Sequence, residues 1–260
     1  FSDTLSMYPV QDSEKWFEIP VVATNICDYD RSFGVEVDDK ASNAIEKKQY
    51  VVESNTVTIK AGERVAKFRM KGIYENIDKT DSLSVTFNLL AKDENVWDLY
   101  GTRTRVQMQK ACPFELSTFE GYCLLTSSFF SAYMTNTEHR LLQAERDKTE
   151  DNTIILHDFF YKNYDLKIKY DPSDPLKPFV EFDDQIIGST AEAFGTIYGN
   201  GKLMCTQPVA YDSYYNVCQK FVFLYSTIYV VGKGTVGTYV NILEWISDEE
   251  AEQYKKEEGL

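Results

Sequence analysis

Over residues 1–110 apolar and polar positions alternate in short runs separated by turn signals, the period of two that a half-buried strand requires. Residues 82–89 carry it plainly: successive strand side chains project to opposite faces, so Leu83, Val85, Phe87 and Leu89 are expected inward and Ser84, Thr86 and Asn88 toward water. Ala66, Phe68 and Met70 repeat the pattern. Residues 16–23, 31–37 and 56–60 read as further strands. Ala61-Gly62-Glu63 forms a hairpin signal before the strand at 64–71, and Asp38-Asp39 ends an earlier one. About six or seven such strands predict an immunoglobulin-like β-sandwich.

The pattern breaks at Gln109-Lys110-Ala111-Cys112-Pro113, where proline restricts its predecessor to extended geometry and a composition richer in Tyr and Phe begins. A chain of 260 residues exceeds what one strand-rich core usually reaches, so two domains are expected, at 1–110 and 111–260. In the second, residues 152–158, 164–170, 179–182, 202–206 and 221–231 read as strands. Asn163, Asp171-Pro172-Ser173-Asp174-Pro175, Gly199-Asn200-Gly201 and Gly232-Lys233-Gly234 read as turns between them. Residues 138–151 read as a strand entering a charged hairpin turn, because Leu141, Leu142 and Ala144 do not extend over enough turns to make a helical face. Ser247 followed by Asp248-Glu249-Glu250 is a capping box that starts a terminal helix running to about Lys256. The expected fold is therefore all-β: an immunoglobulin-like β-sandwich, then a β-meander or small barrel with a short C-terminal helix.

Composition narrows the function classes. A formal charge of −14 and a pI near 4.7 oppose nucleic-acid binding, which needs clustered Lys and Arg on phosphates, and oppose direct attraction to an anionic membrane. The longest apolar run, 221–231, is too short to span a bilayer and reads as a buried strand. The chain starts at Phe1 without a basic or apolar leader, so any signal peptide or lipid anchor is expected to lie outside it. Five cysteines without a CxxC spacing give no zinc-ribbon or thioredoxin pattern. Cys205 and Cys218 flank a strand-loop-strand segment, where buried free thiols are favoured over a disulfide.

The motifs that could carry chemistry fare poorly. Gly232-Lys233-Gly234-Thr235-Val236-Gly237 fits GxGxxG, but no room remains for the rest of a dinucleotide fold, and a glycine-rich hairpin turn is the better reading. His139 and His157 stand without ligand spacing, and no GxSxG elbow is present. Asp171, Asp174, Asp183 and Asp184 cluster near a proline-rich bend, where ordinary turn chemistry is favoured over calcium binding. No catalytic residue, metal ligand or cofactor is assigned, and the chain is read as a non-enzyme; a glycosidase would need two facing carboxylates about 5–10 Å apart in a cleft. The positive signal is aromatic density beside polar groups. Tyr211, Tyr214 and Tyr215, with Asp212, Ser213 and Asn216, and the pair Trp97 and Tyr100, are the candidate ligand-binding residues, since a flat ring covers the apolar face of a sugar while its polar neighbours hydrogen-bond the rim. Packing of these tyrosines between the two domains is the competing use.

Two resemblances add to this reading. Tyr50, then Asn55-Thr-Val-Thr-Ile-Lys-Ala-Gly-Glu63 and the basic alternating strand after it, resemble the middle of Calx-β-like sandwich modules, which act as spacers and adhesion units and in some cases bind calcium. In the second part Phe119-Glu-Gly-Tyr122, Ile197-Tyr-Gly-Asn-Gly-Lys-Leu203, Gly234-Thr-Val-Gly-Thr-Tyr239 and Glu244-Trp-Ile-Ser-Asp-Glu-Glu-Ala-Glu252 resemble uncharacterised outer-surface lipoproteins of gut Bacteroidetes. That resemblance implies a secreted, lipid-anchored protein at the outer membrane surface or in the periplasm, tethered through a segment outside this chain, with no site residues to carry over. The expected role is a cell-surface binding or scaffold protein that assists capture of polysaccharide or host glycans. The rival reading is a purely structural, adhesin-like or assembly subunit that contacts other surface proteins.

Overall fold

A computed structural model of the chain describes residues 1–92, 101–134 and 136–258. The fold is all-β, in two units, Phe1–Cys112 and Pro113–Leu260, each with its own hydrophobic core. The first unit holds β1 (Leu5–Val10), β2 (Phe17–Val22), β3 (Arg31–Val37), β4 (Tyr50–Val52), β5 (Thr56–Ile59), β6 (Val65–Gly72), β7 (Leu83–Leu90) and β8 (Arg103–Lys110). One sheet runs β1-β8-β7-β3-β5, with β1 parallel to β8, and the other runs β2-β6-β4. Ile19, Val21, Phe68 and Met70 of the smaller sheet share one core with Val35, Val57, Val85, Phe87, Val106 and Met108 of the larger. Phe68 meets Phe87 edge-on at 4.9 Å, the arrangement that ring quadrupoles favour. This is the immunoglobulin-like sandwich.

One expectation on β7 fails. Ser84 and Thr86 are buried, because residues 38–44 fold across the outer face of the strand. The Thr86 amide donates to Ser42 Oγ at 2.9 Å and its hydroxyl donates to the Ala41 carbonyl at 3.1 Å, while the Ser84 amide donates to Asn43 Oδ1 at 2.6 Å. Small polar residues thus remain on that face because each finds a partner there.

The second unit holds β9 (Gly121–Ser127), α1 (Ser128–Tyr133), β10 (His139–Arg146), β11 (Thr153–Leu156), β12 (Leu166–Asp171), β13 (Phe179–Glu181), β14 (Gln185–Ser189), α2 (Thr190–Phe194), β15 (Lys202–Thr206), β16 (Ser213–Asn216), β17 (Phe221–Val230), β18 (Gly234–Ile246) and α3 (Asp248–Glu258). Antiparallel pairing runs β18-β9-β10-β11-β12-β13-β16-β17, and β17 pairs back onto β18, which closes an eight-stranded barrel. β14 and β15 form a side hairpin: β17 takes β16 along Phe221–Phe223 and β15 along Thr227–Tyr229 of the same edge. The Gln185 side chain completes the wall there, accepting from the Lys167 amide at 2.8 Å and donating to its carbonyl at 2.9 Å.

The barrel is filled rather than hollow. Cys123, Leu125, Leu142, Ile154, Leu156, Ile168, Val222, Leu224, Ile228 and Leu243 pack its interior. At one end Phe119 stacks on Tyr170 at 4.6 Å and meets Trp245 edge-on at 5.1 Å. At the other, Phe129 stacks on Phe160 at 4.7 Å and Phe160 on Phe159 at 4.4 Å. Inside, Asn241 accepts from Ser127 Oγ at 2.7 Å and donates to the Leu224 carbonyl and Ser226 Oγ, so its buried amide is satisfied.

Residues 139–146 are a strand, as the pattern indicates, and the turn after it is tied down by Asp147. That carboxylate, nearly covered, accepts from the Thr149 amide and hydroxyl and from Lys167 Nζ on β12. The terminal helix starts with its capping box: the Glu250 amide donates to Ser247 Oγ at 3.3 Å, and the Ser247 amide to Glu250 Oε2 at 2.8 Å. The short helices α1 and α2 add to the elements expected from the sequence. They are single turns wedged onto the barrel end by Phe129, Phe130 and Phe194, which makes them products of packing rather than of helical periodicity.

The cysteines depart from the reading of Cys205 and Cys218 as two buried thiols. Cys205 is free and buried, but Cys218 is disulfide-bonded, as is Cys112; Cys27 and Cys123 are free. Burial pushes the Cys205 thiol up to about 12 and the Cys123 thiol well above its ordinary value, and Cys27 is the partly exposed one. A thiol-specific reagent at pH 8 is therefore expected to titrate one group in the native protein, lost in Cys27→Ser, and three in denaturant without reductant. For Asp147, the Lys167 ammonium and the Thr149 donors hold the carboxyl below the usual carboxylate range. Its contribution to stability is complete above the unfolded Asp pKa of about 3.9 and is lost as pH falls through the lowered folded value. Urea unfolding is expected to find Asp147→Asn weaker than wild type at pH 7, with the gap narrowing below about pH 4.

Candidate functional site: an aromatic outer wall

Because the barrel interior is packed, what it offers to a partner lies on its outside. β17 alternates faithfully: Val222, Leu224, Ser226, Ile228 and Val230 face in, while Phe221, Phe223, Tyr225, Thr227 and Tyr229 stand half-exposed on the outer face. From sequence alone this whole run reads as a buried strand, because aromatic residues on the outward positions hide the period of two.

Register extends the outward set sideways. Phe179 of β13, Tyr214 of β16, Phe223 of β17 and Ile242 of β18 pair in succession, so four neighbouring strands place an apolar side chain in one row. Tyr214 stacks on Phe223 with ring centroids 5.4 Å apart and planes 10° apart. Tyr211, in the loop before β16, stacks on Tyr225 at 5.0 Å, and Phe223 meets Tyr225 edge-on at 5.2 Å. Tyr211 and Tyr214 are 52% and 40% exposed. Each ring is therefore braced on one face by another and open on the side away from the barrel.

Hydrogen-bonding groups border the rings. Thr206, Thr227 and Thr238 pair across β15, β17 and β18, with the Thr227 and Thr238 hydroxyls 2.8 Å apart. Beyond them Tyr229 donates its hydroxyl to Asp184 Oδ2 at 2.7 Å. Hydrogen bonds from Thr206 and Tyr229 hold the Asp184 carboxyl below the ordinary value, and the same contact raises the Tyr229 phenol, so one stays charged and the other protonated near neutral pH. Stacked, half-exposed rings rimmed by hydroxyls and a carboxylate can cover the apolar face of a pyranose and bond its edge.

The candidate residues separate accordingly. Tyr211 and Tyr214 stand on this wall with Phe223, Tyr225 and Ile242, which the sequence reading did not single out. Tyr215, one residue along β16, points the other way and is only 3% exposed. It packs against Phe119 at 5.7 Å and Tyr170 at 5.1 Å and donates to the Asp171 carbonyl at 3.3 Å, so it is a core residue with no face left for a ligand. Trp97 and Tyr100 lie outside the described residues. Gly232 and Gly234 carry φ of 73° and 116° in the β17–β18 hairpin turn, the left-handed region that glycine suits. Asp171 and Asp174 accept from the amides of Ser173 and Leu176, each at 2.9 Å, as turn formers do. Among the described residues no group of three or more His, Cys, Asp or Glu side chains is arranged to hold a metal, and no helix is long and apolar enough to cross a membrane.

Fold and surface together define a protein built from an immunoglobulin-like sandwich and a solid, closed barrel that carries an exposed aromatic wall. Residues 99–257 match the family described as Domain of unknown function (DUF4984), and the chain belongs to that family. No curated protein matches it significantly. Among solved structures it is similar to an auxiliary nutrient binding protein from Bacteroides thetaiotaomicron VPI-5482, at 10% identity over 94% of this chain and 91% of that one with a TM-score of 0.37. It is similar also to a protein of unknown function from Bacteroides ovatus, at 9% identity over 93% and 86% of the two chains with a TM-score of 0.38. A third likeness is to the calcium binding domain CBD12 of CALX1.1, at 13% identity over 58% of this chain and 76% of that one with a TM-score of 0.34. None of these carries a residue role over to this chain.

The opposite orientations of Tyr214 and Tyr215 give a direct contrast. In urea unfolding, Tyr215→Ala is expected to cost about 3–5 kcal/mol, as for other large buried aromatics. Tyr214→Ala is expected to cost about 1 kcal/mol, the scale of one stacked pair at a half-exposed position.

Proposed function

We propose that this protein binds glycans through the outer wall of its barrel, as a non-enzymatic surface protein that captures or scaffolds polysaccharide or host glycan. The observation that carries the reading is the pair of braced, open stacks, Tyr211 on Tyr225 and Tyr214 on Phe223, beside the threonine row. Contiguous exposed aromatic surface rimmed by polar groups is the mark of an interaction site, since an isolated chain has nothing to gain from leaving such rings wet. An open outer wall suits an extended polymer lying across several strands better than a small molecule, which would favour a concave pocket. The sandwich unit acts in this reading as a spacer and as a surface for neighbouring proteins.

The proposed location is the outer membrane surface or the periplasm, with a lipid tether supplied from outside this chain. The resemblance to outer-surface lipoproteins supports it, and so do the disulfide-bonded Cys112 and Cys218, because disulfides persist in oxidising compartments and are rare where thiols are kept reduced.

Affinity electrophoresis and calorimetry against a panel of soluble polysaccharides and host glycans test the function. At least one is expected to bind saturably, and the Tyr211→Ala, Tyr214→Ala double variant to lose at least about tenfold in affinity, or 1.4 kcal/mol, while unfolding cooperatively. Unchanged affinity in a folded double variant would remove the outer wall as the contact.

A further inference from the structure

At the barrel end where β9 runs into α1 and β11 turns toward β12, β10 brings a cation to the mouth. Arg140 lies on the inward face with Leu142 and Ala144 and pairs in register with Leu125. A guanidinium has five N–H donors and keeps its charge in proteins. Here Nη2 donates to the Asp158 carbonyl at 3.0 Å, while Nε is sealed from solvent with no acceptor. The chain holds 41 acidic residues, yet among those described none lies within ion-pairing distance of Arg140. Asp158, whose charge acts on Arg140, already accepts the Asn163 amide at 2.5 Å.

Tyr161 adds a second donor. Its hydroxyl is likewise sealed and without a partner, and it lies three residues along the chain from Asp158, whose carbonyl Arg140 holds. The ring is fixed over Gly188 of β14, where a Cβ would come within 2.5 Å of it. Burial, with Glu192 adding to it, pushes the phenol up to about 12, so it remains a donor. A cation that has no carboxylate partner and one N–H sealed from solvent is costly to keep, and a polar side chain can be replaced by a packed apolar one of similar length at no loss of fold. Two sealed donors without a protein acceptor, close together at one rim, are what the oxygens of a carboxylate entering there would satisfy.

We propose that this mouth binds the carboxylate of a small anionic ligand, held by the Arg140 guanidinium and the Tyr161 hydroxyl. The planar fork matches a carboxylate, and the neighbouring Asp158 and Glu192 oppose a doubly charged phosphate. This site is independent of the aromatic wall. Calorimetry at pH 7 and low ionic strength tests it with sodium acetate, sodium glucuronate, inorganic phosphate and glucose, on wild type, Arg140→Met and Tyr161→Phe. A carboxylate is expected to bind wild type saturably, phosphate at least about tenfold more weakly and glucose not at this site. Arg140→Met is expected to lose at least about tenfold in carboxylate affinity while its unfolding midpoint stays level or rises, and Tyr161→Phe to weaken binding several-fold with the fold intact. Absence of saturable binding by both carboxylates up to about 10 mM, tighter binding of phosphate, or full affinity in folded Arg140→Met would overturn the proposal. A lowered midpoint in Arg140→Met without carboxylate binding by wild type would make Arg140 a latch on the Asp158 carbonyl instead.

Discussion

β17 pairs along its whole length with β18, from Phe221 opposite Glu244 to Val230 opposite Gly234, and this ladder closes the ring. Closure removes the open edges that a sheet of this size would otherwise have to protect, and it gives every strand one dry face and one wet one. The pleat of β17 then sorts its residues without ambiguity, since a slip by one position would exchange the two faces entirely. Val222, Leu224, Ile228 and Val230 enter the core, and Phe223 and Tyr225 are left outside. The buried Asn241, bonded to Ser127, Leu224 and Ser226, joins β9, β17 and β18 at the seam, where a shifted register would strand its amide.

A filled interior decides where function can reside. Small up-and-down barrels either hold a ligand inside or fill that space with side chains. Here the aromatic clusters around Phe119 and Phe129 close the two ends, and the core between them is continuous. The proposed sites are therefore the outer wall and the rim around Arg140, and they differ in kind. The wall is apolar and braced ring against ring, whereas the rim carries one guanidinium and one phenol hydroxyl.

Much of the architecture was legible from alternation and turn chemistry, because those are local. The inward residues of β6 and β7, the strand at 139–146, the Gly232–Gly234 turn and the capping box at Ser247 all follow from short-range spacing. Features set by distant chain were not. Ser84 and Thr86 looked solvent-facing because nothing local announces that residues 38–44 cover them. Tyr214 and Tyr215 are adjacent and chemically alike, and only the register of β16 against β13 and β17 distinguishes a wall residue from a core one. Phe223 and Tyr225 were missed for a related reason: an outward face made of rings reads as apolar, so the strand seemed buried on both sides. One local signal was overlooked, the Ser189-Thr-Ala-Glu192 capping box that starts α2.

In the proposed function the exposed rings, and not the packed ones, meet the ligand. Chemical-shift mapping of aromatic carbon signals during titration with a bound polysaccharide tests this most directly. Shifts are expected to concentrate on Tyr211, Tyr214, Phe223 and Tyr225, with Tyr170 and Tyr215 nearly unmoved. Shifts confined to the interior rings or to the sandwich unit, with the outer wall silent, would contradict it.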